Sequence, residues 1–207
     1  MNDGKTKIIF SDFDGTVTKK DTYIRSLFFY SSCIKILLNI PGLVFNLIKY
    51  IFGMKTRNEM KEYSYKKFYS GVSVAYINKK SKKYLKSVKF NHKVLDLLNK
   101  FRDDGYKIVL VTASPDIYMN YFAKELGYDG LICTLTEKSD DRLTGKLSGM
   151  NCNNEEKVKR IRESEYYDAS SRIITFGNSK GDHPMLGISD EYYYVIKGNP
   201  VKNAKLN

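Results

Sequence analysis

Two aspartates one residue apart, Asp12 and Asp14, lie in the stretch Asp12-Phe13-Asp14-Gly15-Thr16-Val17-Thr18, directly after the apolar run Ile8-Ile9-Phe10. On extended backbone, carboxylates at i and i+2 project the same way and can reach a shared cation. A hydrated loop can hold such a pair as well, so the setting decides. Here a β-branched and aromatic run feeds a sharp Gly-Thr turn, and three more polar clusters follow: Thr112-Ala113-Ser114, Lys157, and Asn178 with Asp182. Each has an ordinary explanation alone, as a strand end, a surface lysine or a helix cap. The available donors are hard oxygens with no competing His/Cys cluster, which makes Mg²⁺ the expected cation.

These residues need a scaffold that brings them to one edge. Residues 8–12 read as a first strand, 106–111 as a second, 131–135 as a third, 172–176 as a fourth and 192–196 as a fifth. Helices are predicted between them. One carries Val94, Leu95, Leu97, Leu98 and Phe101 behind an Asn91 cap, one carries Ile117, Tyr121, Phe122 and Leu126, and one opens at Asn153-Asn154 with Lys157 in its first turns. Residues 138–147 read as a hairpin at the edge of the third strand. Strands alternating with helices predict a parallel α/β sheet with right-handed crossovers. The polar clusters then fall at, or just beyond, the carboxyl edge where open sheets bind ligands.

Composition adds one strong asymmetry. Residues 19–93 hold 17 Lys or Arg against three acids, a net +14, whereas the rest of the chain holds 18 basic and 20 acidic residues, a net −2. This segment lacks the strand rhythm and reads as a mostly helical insertion, which leaves 1–18 and 94–207 as a discontinuous α/β core. From Ser26 to Met54 its only charges are Lys35 and Lys49, and the Pro41-Gly42 pair predicts two short apolar helices, each too short to span a bilayer. That apolar pair can lie in a membrane interface, pack on the protein itself or dimerise. Lys and Tyr or Phe alternate farther on, with Lys79, Lys80, Lys82, Lys83 and Lys86 around a stripe of Ile77, Tyr84, Leu85 and Val88. Such a surface suits anionic lipid, and no nucleic-acid module accompanies it. Cys33, Cys133 and Cys152 are odd in number and widely spaced, which fits a reducing cytoplasm, and no signal peptide is read ahead of the first strand.

The motifs DFDGTVT, VTASP, the helix lysine and GNSKGD, in that order, resemble the haloacid dehalogenase superfamily. Within it, the insertion after the first motif resembles the phosphoserine-phosphatase-like branch with its helical cap. The resemblance covers roughly residues 7–22 and 106–188 and implies a Rossmann-like core working as a phosphatase. It implies Asp12 as nucleophile, forming an aspartyl-phosphate, and Asp14 as general acid and then base. Thr112 with the Ala113 and Ser114 amides would hold phosphate oxygens, and Lys157 would neutralise charge on Asp12 and the phosphoryl group. Mg²⁺ would be held by Asp12, Asp14, Asn178 and Asp182, and without it the carboxylates would repel a phosphate dianion.

Two departures bear on the substrate. Asn178 stands where many relatives place a metal-binding Asp, so Asp182 would have to supply more of the charge. Asp21, followed by Thr22, falls where phosphoserine enzymes carry a longer acid, and Arg57 is a further candidate for a substrate anion. His92 and His183 have no partner pattern. The large basic and apolar insertion is similar in kind to that of the phosphatidylglycerophosphate phosphatases of this branch. It implies a lipid phosphate ester and an enzyme peripheral to the inner face of the membrane. A soluble small-metabolite phosphatase and a non-catalytic binding module remain the alternatives, and the oligomeric state is not legible.

Overall fold

The computed structural model describes residues 6–206, with Arg57 through its backbone alone. The stretch read for a signal peptide falls on residues outside that range. A central sheet runs in the order β3-β2-β1-β6-β7-β8, formed by Gly130–Thr134, Lys107–Pro115, Lys7–Ser11, Arg172–Gly177, Glu191–Ile196 and Asn199–Lys202. All neighbours are parallel except the final β7–β8 pair. Near-continuous apolar runs form these strands because both faces are covered. Ile9, Ile108, Leu110, Ile174 and Phe176 enter one core, while Ile8, Phe10, Val109, Val111 and Ile173 enter the other.

Between β1 and β2 come four helices, α1 (Thr22–Tyr30), α2 (Cys33–Ile51), α3 (Arg57–Tyr69) and α4 (Val74–Lys86), then α5 (His92–Asp103). Each of the four starts on a side-chain cap, from Asp21, Ser32, Thr56 and Ser73 respectively. The two chain passes into and out of this block pair as a neck: Lys19 N–H donates to the Lys89 carbonyl at 2.8 Å and Asn91 N–H to the Val17 carbonyl at 2.9 Å. Asn91 precedes α5 but makes no side-chain cap; its amide donates to the carbonyls of Thr16 and Gly198. Tyr30 and Tyr84 from the block pack edge to face at 5.3 Å, and both meet Tyr118 of α6 (Asp116–Glu125). The insertion and one face of the sheet therefore share a single aromatic core. The remaining helices are α7 (Glu155–Arg162) and α8 (His183–Leu186).

Two expectations are corrected. The apolar stretch is one 19-residue helix, α2, running through Pro41 and Gly42 without a break. Proline in a helix interior costs ~3 kcal/mol, which lateral packing can offset. Ile36 and Leu43 pack on the core, and a methyl group on Gly42 would run into the Tyr63 hydroxyl. The continuous helix is long and apolar enough, by length and composition, to cross a membrane. The hairpin formed by β4 (Thr136–Ser139) and β5 (Arg142–Leu147) does not extend the central sheet. Its open edge is taken by the α3–α4 link instead, with Gly71 N–H donating to the Leu143 carbonyl and Leu143 N–H to the Val72 carbonyl.

Candidate active site

Asp12 follows β1 and is pinned by its own N–H, which donates to the Phe176 carbonyl of β6 at 2.9 Å. The chain then turns tightly through Gly15, whose φ of +83° suits glycine and whose missing side chain leaves room for the Asn178 amide. That turn brings the Thr16 hydroxyl back to within 2.9 Å of Asp12 Oδ2 and 3.2 Å of Asn178 Oδ1. The other Asp12 oxygen, Oδ1, accepts from Lys157 Nζ at 2.7 Å, and the same ammonium donates to Asp182 Oδ1 at 2.7 Å. Lys157 is 1% exposed, so this carboxylate–ammonium–carboxylate row is buried.

Lys157 comes from the first turn of α7, whose start is tied to the 178–182 loop by Asn154 N–H donating to the Gly181 carbonyl at 3.1 Å. Asp182 organises that loop, with Oδ2 accepting from the Asn178 and Ser179 amides and the Ser179 hydroxyl at 3.1, 2.9 and 2.8 Å. Both Asp182 oxygens are thus engaged inside the protein. At the end of β2, the Ser114 N–H donates to Thr112 Oγ1 at 3.0 Å, folding the 112–114 segment into a tight loop. Asp14 is turned toward α1: Oδ1 accepts from the Thr22 N–H at 2.7 Å and Oδ2 from the Ser114 hydroxyl at 2.5 Å. Tyr118 in turn donates to Ser114.

Burial sets the electrostatics. Desolvation, with repulsion from Asp182, pushes Asp12 up to about 7 against the pull of Lys157. Asp14 is raised by burial and by Asp21. Burial works against Asp182 as well, yet Lys157 and three hydrogen bonds hold it below the usual carboxylate range. Burial likewise disfavours the charge on Lys157, but Asp12 and Asp182 outweigh it and raise its pKa.

Among the described residues no three His, Cys, Asp or Glu side chains converge as a metal-binding group. What converges is a pair of hard oxygens, Asp12 Oδ2 and Asn178 Oδ1, both within reach of the one Thr16 hydroxyl. That donor set fits a small hard cation such as Mg²⁺.

A family model described as haloacid dehalogenase-like hydrolase matches residues 9–187. The chain belongs to that hydrolase family. It is 33% identical over 195 residues to Protein CicA of Caulobacter vibrioides (strain NA1000 / CB15N), spanning 91% of this chain and 86% of the relative. A solved structure of a protein of unknown function from Bordetella pertussis Tohama I superposes with a TM-score of 0.75 at 18% identity, over 91% of this hydrolase and 89% of that chain. A phospho-aspartyl intermediate analogue of phosphoserine phosphatase superposes with a TM-score of 0.63 at 16% identity, over 91% and 85%.

Above the polar floor the hydrolase has an open cavity of about 550 Å³. Asp12, Asp14, Thr112, Lys157 and Asn178 line its base, while Ile24, Leu27, Phe28, Leu43, Leu47 and Met60 line its wall. Asp21 also lines it, with Oδ1 committed to capping α1 through the Ile24 N–H at 2.9 Å. Arg57 opens α3, and its side chain lies outside the described residues.

Lys61 escaped the sequence reading. Its ammonium donates to the Ala113 carbonyl and to Asn151 Oδ1, and stands 5.1 Å from the Tyr23 ring. It thereby ties α3 to the 112–114 loop. Among so many lysines only its spacing marked it: Lys61 shares a helical stripe with the buried Tyr65 and Phe68.

Proposed function

We propose that this hydrolase is a Mg²⁺-dependent phosphomonoesterase that works through an aspartyl-phosphate on a lipid phosphate ester. The observation that carries the catalytic part is the buried row Asp12–Lys157–Asp182, with both contacts at 2.7 Å, beside the Thr112-Ala113-Ser114 loop. An Asp12 carboxylate oxygen attacks phosphorus in line, and the bond from phosphorus to the ester oxygen breaks. Asp14, raised by burial, suits the donor that protonates the departing oxygen. Water then attacks phosphorus while Asp14 takes its proton, the bond from Asp12 to phosphorus breaks, and phosphate leaves. Lys157 holds its charge against Asp12 throughout, and Thr112 with the Ala113 amide receives the phosphoryl oxygens, joined by the Ser114 amide as it exchanges its bond to Thr112 Oγ1 for one to the phosphoryl group.

Asp12 and Asn178 would hold Mg²⁺ through side-chain oxygens, with the Asp14 backbone carbonyl, while Asp182 supplies negative charge from behind. When bound, the cation offsets the repulsion between the carboxylates and the phosphate dianion.

The apolar wall above a charged floor supports an amphiphilic substrate, and the net +14 of residues 19–93 supports concentration of the enzyme at the anionic inner face of a membrane. A screen across phosphatidate, phosphatidylglycerophosphate, phosphoserine and sugar phosphates with Mg²⁺ tests this reading. Preference for the lipid esters, lost in Asp12→Asn, is the expected result. Faster cleavage of phosphoserine would replace the lipid substrate with a small soluble one. Turnover that survives in Asp12→Asn, or no hydrolysis of any ester, would overturn the aspartyl-phosphate route.

A further inference from the structure

Helix α2 is inside out. Asn46 is its one buried residue, and its amide donates back to the Gly42 carbonyl at 2.8 Å. At about 100° per residue, Leu43, Leu47 and Tyr50 share one stripe, and all three line the reaction cavity. On the opposite stripe Ile34, Leu38, Phe45 and Phe52, the residue just after the helix, are 73, 74, 57 and 76% exposed. A contiguous apolar face of this kind is uncommon on a water-facing surface and marks a contact with something apolar.

Charge decides among the possible occupants. The insertion carries +14, so pairing two copies through it would set like charges face to face, whereas anionic lipid is complementary. Lys49 and Lys35 lie along one flank of α2, and Lys49 Nζ sits over the Phe45 ring at 4.6 Å, its stem along apolar surface and its charge free to rise toward headgroups. A transbilayer course for α2 would pull Ile36, Leu43 and Asn46 off the protein and strip the cavity of its wall, which argues for a helix lying flat.

We propose that α2 lies in the surface of an anionic bilayer with Ile34, Leu38, Phe45 and Phe52 among the acyl chains, and that a lipid phosphate reaches Asp12 by passing beneath the inner stripe of Leu43, Leu47 and Tyr50 without leaving the bilayer. The route rests on the phosphomonoesterase reading; the seating of the helix does not. Soluble esters enter from water and need no surface, while lipid esters are cleaved only by the seated enzyme.

The chain has no tryptophan, so single Phe45→Trp, Phe52→Trp and Tyr128→Trp variants report without background. Tyr128 lies just before β3, at the sheet edge opposite the site. With vesicles of equimolar phosphatidylglycerol and phosphatidylcholine, the probes at 45 and 52 should shift to the blue and be quenched by brominated acyl chains, and the probe at 128 should do neither. Leu38→Glu and Phe45→Glu should each weaken vesicle partitioning about tenfold or more and reduce phosphatidate hydrolysis in vesicles in parallel, with hydrolysis of p-nitrophenyl phosphate unchanged.

Water-like emission at 45 and 52 on vesicles would overturn the seating, as would shielding of position 45 in a lipid-free dimer detected by sedimentation. Full phosphatidate hydrolysis by the Glu variants would overturn the route. Failure of the unaltered enzyme to cleave p-nitrophenyl phosphate would instead sink the catalytic reading, and the quenching pattern would still decide the seating.

Discussion

Lys157→Met tests the buried charge row most directly. The ammonium is 1% exposed and lies 2.7 Å from an oxygen of each of two carboxylates, so its loss leaves Asp12 and Asp182 facing one another with no cation between them. Removing one partner of a buried ion pair costs about 3–5 kcal/mol, and urea denaturation near neutral pH should show a loss of that size. Asp12 already stands at about 7 with Lys157 beside it and rises further without it. A carboxyl whose folded pKa lies above its unfolded value binds protons more tightly when folded. The variant should therefore regain stability as pH falls from neutrality toward the unfolded carboxyl value, by up to ~1.4 kcal/mol for each pKa unit. Turnover should drop by about 10²–10³ at least, as for loss of a preorganised charge-stabilising donor. Lys157→Met/Asp182→Asn removes the repulsion and should recover most of the stability while staying inactive. A single variant within about 0.5 kcal/mol of the parent, as for a surface substitution, with no pH dependence and normal turnover, would refute the reasoning.

Three other outcomes follow from the same geometry. Asn178→Asp adds a negative charge beside Asp12 Oδ2 and should tighten Mg²⁺ binding about tenfold by calorimetry; unchanged or weaker binding would count against Asn178 as a ligand. Mg²⁺ affinity should climb as pH rises through about 7, because Asp12 must give up its proton to bind; calorimetry in buffers of different ionisation heat should show proton release below that pH and almost none above it. Lys61→Met leaves the Ala113 carbonyl with the Thr134 hydroxyl but without its charged donor and should weaken inhibition by inorganic phosphate about tenfold, the effect of one charged hydrogen bond, with Lys61→Arg restoring part of it.

Much of the scaffold was legible because its signals are local. Runs such as Ile8-Ile9-Phe10 and Ile108-Val109-Leu110-Val111, short, β-branched and bounded by turns, suit strands buried on both faces, and the structure puts their odd and even members into two separate cores. The polar clusters around Asp12, Thr112 and Asn178 were legible because each sits where a strand must end, and Lys157 because it falls in the opening turn of a helix. What depended on tertiary contacts was not. Pro41 reads as a helix break until lateral packing against α3 is known, and the hairpin's place follows from a partner some 70 residues earlier in the chain. The orientation of Asp14 is set by the first amide of α1 and by Ser114, neither of which a motif reports. Lys61 is one lysine among many until α3 is wound into place.

The paired neck at 17–19 and 89–91 means that the polypeptide leaves the catalytic body and returns to it at a single doorway. What is threaded through that doorway and lies clear of the shared aromatic core can be lengthened, shortened or rewritten while the strands behind it keep their register. Recognition and bond-breaking are therefore free to diverge at different speeds, and a new clientele can arise by editing the insertion wherever it leaves the Thr22 amide on Asp14 and the Lys61 ammonium on the Ala113 carbonyl in place.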